Sequence, residues 1–213
     1  MKLKEMPYPQ GFDLQVLEKL PSYAARIRYL NAHLKKIASG SSRIVYLVDN
    51  EKVLKVAKNK KGLAQNETEA DRSIQRWSSV FAQIFDASED SIFLEMELAR
   101  KPTPTDFKRI VGISLEELNY YLVYAQQVRG DPRRGSRYYQ NSLSKERIQQ
   151  ISENEWVQDL EDVALSYDFA LPGDFGRIST YGKVKRDGQD AIVVIDFGLT
   201  WSTYDTHYAR KRQ

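Results

Sequence analysis

The feature that most constrains the fold is a pair of predicted strands, the second of which carries a lysine among apolar residues. Residues 43–57, RIVYLVDNEKVLKVA, are rich in β-branched residues on both sides of an Asp-Asn turn signal, which predicts a β-hairpin. Because alternate residues of a strand face opposite sides, Lys55 shares a face with Val53 and Ala57. An unpaired ammonium among apolar neighbours is costly, so Lys55 needs an anionic partner.

The segments on either side of this hairpin suggest what the lysine does. Residues 64–77 are polar and compatible with a helix, and their stretch AQNETEAD offers Glu67 and Glu69 as partners for Lys55. The small residues Ser39-Gly40-Ser41-Ser42 come directly before the hairpin and predict a loop. A strand lysine paired with a helix glutamate, beside such a loop, is suited to binding phosphate groups.

A second apolar strand is predicted near the end of the sequence, and a carboxylate follows it. Residues 191–195, AIVVI, fit a short buried strand, and Asp196 comes next. A carboxylate held at a strand end can bind Mg²⁺. The tripeptide Asp-Phe-Gly also occurs at Asp174, after a Pro-Gly loop signal. The hairpin predicted between the two copies would bring the carboxylates together, so that one could bind metal while the other positions a nucleophile or accepts its proton.

The rest of the sequence indicates an α+β fold. Residues 12–38 predict two helices broken near Pro21, with an apolar stripe that continues to Ile37. Strands and helices are segregated along the chain, which favours α+β over a wound parallel sheet. The further predicted helices are 103–112, 115–128 and one or two within 143–167, and the further strands are 81–85 and 91–96.

Composition excludes several classes of site. The absence of cysteine excludes disulfides and thiolate chemistry, and two histidines near opposite ends make a histidine metal site unfavourable. No apolar stretch approaches the roughly 18 residues of a membrane span, and no secretory leader is recognisable, so we expect a cytoplasmic protein. The net charge is only +3, but basic residues cluster at 58–61, 129–137 and 210–212. These clusters are typical of solvated loops, with a phosphate-rich partner as the alternative.

The order of these parts resembles the protein-kinase-like fold over about residues 39–200. The segments that carry the resemblance are SGSSRIVYLV, VLKVAK, NETE, FLEMELA, GDFGRIS and VVIDFGLT. The chain is similar in particular to the short, atypical kinase-like proteins of bacteriophage genomes. The resemblance implies a two-lobed fold with a helical extension at 1–38, an N-lobe at 39–97 and a minimal, mostly helical C-lobe at 98–213.

The resemblance also implies which residues bind ATP. The small-residue loop would cover the phosphates, and Lys55 would contact them while pairing with Glu67, with Glu69 as the less favoured choice. The hinge, Glu97–Ala99, would hold adenine through backbone groups. The implied cofactor-binding residues are Gly40, Ser41, Ser42, Lys55, Glu67, Glu97 and Ala99.

The implied catalytic residues are Lys55, Asp174 and Asp196. Asp174 would be the carboxylate of the catalytic loop, and Asp196 would bind Mg²⁺. Ser179 stands where the family has an asparagine that binds a second metal ion, and Pro-Gly-Asp replaces the family's His-Arg-Asp. Both departures bear on whether the protein turns ATP over.

The leading hypothesis is therefore an ATP- and Mg²⁺-dependent kinase-like protein that phosphorylates a hydroxyl of a protein or a small molecule. One alternative is a pseudokinase that binds nucleotide as a regulatory or interaction module without turnover. A second is a phage structural or nucleic-acid-associated protein that uses the basic loops. If the protein is phage-encoded, the host cytoplasm is the expected location.

Overall fold

The computed structural model shows two compact units. It describes residues 8–77, 79–130, 143–170 and 173–208, with the backbone alone at 173 and 174. The first unit comprises residues up to Ala70 together with Gln83–Leu98, and the second comprises Asp71–Ala82 together with residues from Ala99 onward. The sequence-based division at 38 and 97 stays a prediction.

The first unit consists of two helices followed by an antiparallel sheet. Neighbouring strands are all antiparallel, in the order β1-β2-β3-β5-β4, and helix α3 connects β3 to the later strands. The elements are α1 (Leu14–Lys19), α2 (Tyr23–His33), β1 (Lys35–Ser39), β2 (Arg43–Leu47), β3 (Lys52–Ala57), α3 (Lys60–Glu69), β4 (Ile84–Ala87) and β5 (Phe93–Glu97).

The strand periodicity of two gives the sheet of the first unit one apolar face. Tyr46 and Leu54, which are paired across β2 and β3, are fully buried in a cluster with Leu17 of α1 and Leu30 of α2. Burying each such side chain contributes about 1.5–3 kcal/mol. The two N-terminal helices therefore cover this face, and Lys55, next to Leu54, points to the opposite one.

The second unit combines helices with a two-stranded hairpin. Helices α4 and α5 both begin with a capping box, Thr103 with Asp106 and Ser114 with Glu117, as their sequences favour. The elements are α4 (Pro104–Val111), α5 (Leu115–Val128), α6 (Lys145–Ser152), α7 (Glu155–Ser166), β6 (Tyr181–Arg186), β7 (Gln189–Val194) and α8 (Trp201–His207). Short 3-10 turns span Ile74–Arg76, Gly173–Gly176 and Ile178–Thr180.

Comparison with the sequence predictions confirms the α+β class and corrects three elements. The helix predicted at 64–77 begins earlier and ends at Glu69, and only a 3-10 turn, Ile74–Arg76, follows it. The helix predicted to run through Ile37 ends at His33, and residues 35–39 form the edge strand β1, in which Ile37 is exposed. The strand predicted at 81–85 begins only at Ile84. In the residues that the structure describes, no helix is long and apolar enough to cross a membrane.

Candidate functional site

Lys55 lies in a buried cluster of charges in the first unit. Its Nζ is 2.5 Å from Oε2 of Glu69, and Nη1 of Arg43 is 2.8 Å from the other oxygen, Oε1. Lys55 and Arg43 are only 5% and 6% exposed, and Glu69 is fully buried. The carboxylate therefore meets a different cation with each of its oxygens, and we call these three residues the charge trio.

The partner of Lys55 is Glu69, which corrects the favoured sequence assignment to Glu67. Glu67 is exposed, because two residues along an α-helix correspond to a turn of about 200°. The buried face of α3 instead carries Gly62, Asn66 and Glu69, which follow the spacing of three and four residues. These buried residues are polar or glycine, so no apolar stripe in the sequence marked this face.

The loop Gly40–Ser42 is the turn between β1 and β2 and is anchored on the start of α3. The amide of Asn59 donates to the Ser41 carbonyl at 3.0 Å, and the Lys58 ammonium donates to the Gly40 carbonyl at 2.8 Å. The Ser42 hydroxyl is buried and donates to Gln65 at 2.5 Å. The Ser42 hydroxyl therefore already has a protein acceptor, whereas Gly40 and Ser41 are the exposed part of the loop.

The predicted hinge uses some of its backbone donors within the protein. The N–H of Glu97 donates to the carbonyl of Gln83 at 2.8 Å, and the N–H of Leu98 donates to the carbonyl of Glu51 at 2.7 Å. Adenine binding by the hinge would therefore have to use other backbone groups than these two donors. Ala99, the last hinge residue, belongs to the second unit.

Asp196 follows β7 in the second unit, as the sequence predicts. Asp196 is exposed, while Val194 two residues before it and Phe197 directly after it are buried. Phe197 packs against Phe81 with ring centroids 4.5 Å apart, and the N–H of Ile195 donates to Thr180 at 2.8 Å. The backbone on both sides of Asp196 is thus fixed, and the exposed carboxylate has the character expected of a metal ligand.

Asp174 lies in the 3-10 turn Gly173–Gly176, and its side chain is outside the described residues. The turn itself is well anchored, because Phe175 is buried and its carbonyl accepts from the Tyr181 hydroxyl at 2.7 Å. Ser179, the predicted second metal ligand, is exposed in the following 3-10 turn.

The donor set is compatible with Mg²⁺ bound mainly by substrate. Among the described side chains, no group of three or more His, Asp or Glu could hold a metal ion by itself. Mg²⁺ at phosphate sites usually has one or two protein carboxylates and completes its octahedron with phosphate oxygens and water. The exposed carboxylate of Asp196 meets that requirement, whereas the hydroxyl of Ser179 is a weaker ligand.

A cavity of about 810 Å³ lies within the second unit, at α4, the start of α5 and Gly176. Lys108 and Arg109 on its wall are both exposed, and Nη2 of Arg109 lies 3.2 Å from Oδ2 of Asp190. None of the residues predicted to bind ATP lines this cavity. No sequence pattern predicted this cavity, because it arises from the packing of two helices with a turn.

Comparison with known proteins finds similar solved structures but no matching family or curated protein. One solved structure to which the chain is similar is the streptomycin-ATP-APH(2")-IIa ternary complex, with a TM-score of 0.32 and 17% sequence identity. The match covers 81% of this chain and 70% of that one.

Proposed function

We propose that the protein is a kinase-like phosphotransferase that uses ATP and Mg²⁺. The observation that supports this best is the buried pair of Lys55 with Glu69, together with its position in the sheet. The lysine is on β3, the glutamate is on the helix after it, and a small-residue loop joins β1 to β2. This is the order in which protein kinases arrange the parts that hold the nucleotide phosphates.

The proposed reaction transfers the γ-phosphoryl group to a hydroxyl. The acceptor oxygen bonds to the γ-phosphorus, the bond from that phosphorus to the β–γ bridging oxygen breaks, and ADP leaves. Catalysis of this kind is mainly positioning and charge stabilisation, which the ammonium of Lys55 supplies on the phosphates. Asp196 would hold Mg²⁺, which neutralises phosphate charge, and Asp174 would orient the acceptor and receive its proton.

The first test is the binding of ATP by Lys55→Ala. Wild-type protein should gain about 2.7 kcal/mol of stability at an ATP concentration one hundred times its Kd, measured as a thermal shift with Mg²⁺. Lys55→Ala should fold and lose most of this gain. Lys52→Ala removes a half-buried lysine of the same strand and serves as the matched control, which should bind like wild type. If Lys55→Ala binds ATP as well as Lys52→Ala does, the assignment of Lys55 is wrong.

A pseudokinase is the second candidate, and two observations favour it. Ser179 replaces the family's asparagine and is exposed, and the Ser42 hydroxyl is engaged with Gln65. Turnover of labelled ATP separates the candidates, because a pseudokinase shows the thermal shift without releasing ADP. Asp174→Ala should abolish turnover by an active kinase while leaving ATP binding in place.

The acceptor, the phage origin and the cytoplasmic location stay predictions. The same holds for the nucleic-acid alternative, since Arg133, Arg134 and Arg137 lie outside the described residues, as do residues 210–212. A binding affinity for nucleic acid that falls steeply with salt would favour that alternative.

A further inference from the structure

Arg43 is a buried cation that the sequence analysis did not single out. It is the first residue of β2 and lies opposite Ala57, while Val45, two residues on, lies opposite Lys55. Because residues two apart on a strand share a face, Arg43 and Lys55 lie on the same face of the sheet. Their side chains reach the same carboxylate, that of Glu69, from two different strands.

The contacts of Arg43 extend into helix α3. Its Nη1 also lies 3.4 Å from Oδ1 of Asn66, which is fully buried. The amide nitrogen of Asn66 in turn donates to the carbonyls of Ser91 at 2.9 Å and Ile92 at 3.3 Å, in front of β5. Arg43 therefore belongs to a network that joins β2, α3 and the segment before β5 without passing through Lys55.

Close packing fixes the other end of the same helix. A Cβ atom added to Gly62 would lie 2.3 Å from the Ser42 carbonyl oxygen and 2.9 Å from the Ala57 Cα, so the helix backbone rests directly on the sheet. Gln65, on the next turn, accepts the hydrogen bond from Ser42. Helix α3 is thus attached at its first turn by packing and at its last turn by the ion pair with Arg43.

This arrangement has an electrostatic consequence for Lys55. With Oε1 of Glu69 held by a guanidinium, the carboxylate plane is fixed and Oε2 stays directed at the ammonium.

We propose that Arg43 is a positioning residue that holds Glu69, and through it Lys55, in the phosphate-binding arrangement before nucleotide binds. The lysine–glutamate pair is then permanently assembled and does not form and break through a movement of α3. The inference that the positioned group serves phosphate binding rests on the proposed function. The positioning of Lys55 itself does not, and it can be measured without nucleotide.

The experiment is acetylation of the folded protein by a small amine-reactive anhydride, read lysine by lysine with mass spectrometry. In wild-type protein Lys55 should be among the slowest lysines to react, because it is buried and ion-paired. Arg43→Met should raise the Lys55 rate by about tenfold, the factor that corresponds to 1.4 kcal/mol. Arg43→Lys keeps the charge and should restore much of the protection.

Controls separate positioning from a general loosening of the fold. The rate at Lys52, on the same strand, is the internal reference and should be unchanged in every variant. Arg147→Met makes the same chemical change at an ion pair with Glu117 in the second unit and should leave the Lys55 rate at its wild-type value. If Arg43→Met does not fold, Arg43→Gln, which keeps a hydrogen-bond donor, should show the same rise. A Lys55 rate unchanged in a folded Arg43→Met or Arg43→Gln protein overturns the proposal.

ATP affinity then tests the link to function. Arg43→Met should raise the Kd for Mg-ATP, and the rise should vanish when Glu69→Gln is already present, because Arg43 acts through Glu69. An equal rise in both backgrounds would overturn that route. If wild-type protein binds no ATP, the proposed function fails, whereas the acetylation rates still decide the role of Arg43.

Discussion

The two units hold their candidate functional side chains in opposite ways. In the first unit, Lys55 and Glu69 are buried and are positioned by contacts between side chains. In the second unit, Asp196 and Ser179 are exposed and lie on backbone that is fixed by buried neighbours such as Phe197.

This difference in burial predicts whether replacing a side chain changes stability, ligand binding or both. Buried charges are costly to leave unpaired, so residues of the charge trio should affect stability and ligand binding together. Asp196 is exposed, so its replacement should cost the fold less than the replacement of a member of the charge trio and should act mainly on ligand binding. The predictions below test this separation.

The largest effect is expected for Glu69→Gln. Removing the negative charge leaves two buried cations without their shared partner, which should lower the free energy of unfolding by about 3–5 kcal/mol. Urea denaturation measures this loss. Glu67→Gln makes the same change on the exposed face of α3 and should stay within about 0.5 kcal/mol of wild type. Equal losses in the two variants would contradict the burial and pairing of Glu69.

A smaller loss is expected for Gly62→Ala. In an ordinary helix this change stabilises by about 1 kcal/mol. Here the new Cβ meets backbone atoms of Ser42 and Ala57, and overpacking of this kind costs about 1–3 kcal/mol. The variant should therefore be less stable than wild type in urea denaturation, and ATP should bind more weakly as α3 shifts. A more stable variant would show that the helix can move away freely.

Asp196→Asn should separate binding from stability. Because the side chain is exposed, the free energy of unfolding should change by no more than about 0.5 kcal/mol. The thermal shift caused by ATP should lose its dependence on Mg²⁺, measured by titrating the metal at constant ATP. Asp205→Asn, an exposed aspartate on α8, is the matched control. An unchanged Mg²⁺ titration for Asp196→Asn would remove Asp196 from the metal site.

The smallest effect concerns an exposed counterpart of the charge trio. Arg147, whose Nε is 2.8 Å from Glu117, lowers the pKa of that carboxyl from 4.5 to about 2, with further help from Ser114. Because the pKa of Glu117 is lower in the folded protein, the ionised carboxylate stabilises the fold at pH values above 4.5. This contribution is lost as the pH falls from 4.5 towards 2. The pair is half-exposed, so its contribution at neutral pH should stay below about 1 kcal/mol.

Arg147→Met tests that contribution. The difference in unfolding free energy between wild type and variant should be present at pH 7 and should shrink towards pH 2, as measured by urea denaturation across this range. A difference that is the same at every pH would mean that Arg147 contributes through packing and not through charge.

Much of the fold could be predicted from local sequence signals. The Asp187-Gly188 turn, in which both residues have positive φ, predicts the β6–β7 hairpin, and Gly112 marks the end of α4. Strand β1 could not be predicted, since it is an exposed edge strand without polar alternation, and the spacing of Leu30, Leu34 and Ile37 imitates a helix. Helix α8 had no predicted counterpart.

The site was predictable only in part, because the sequence does not show which side chains meet. Lys55 was found because a charge among apolar strand residues is unusual. Arg43 is also a charged residue beside apolar strand residues, but the pattern is weaker because Arg43 is the first residue of its strand. The choice between Glu67 and Glu69 depended on which face of α3 is buried, and this follows from the packing of Gly62 on the sheet.

The helices ahead of the sheet have a practical consequence for anyone who shortens the chain. Leu17, Leu30 and Leu34 cover Tyr46 and Leu54. A fragment that starts at residue 39, without these helices, would present that apolar surface to water and should aggregate when expressed. Fragments intended for crystallisation or ligand screening should therefore retain α1 and α2.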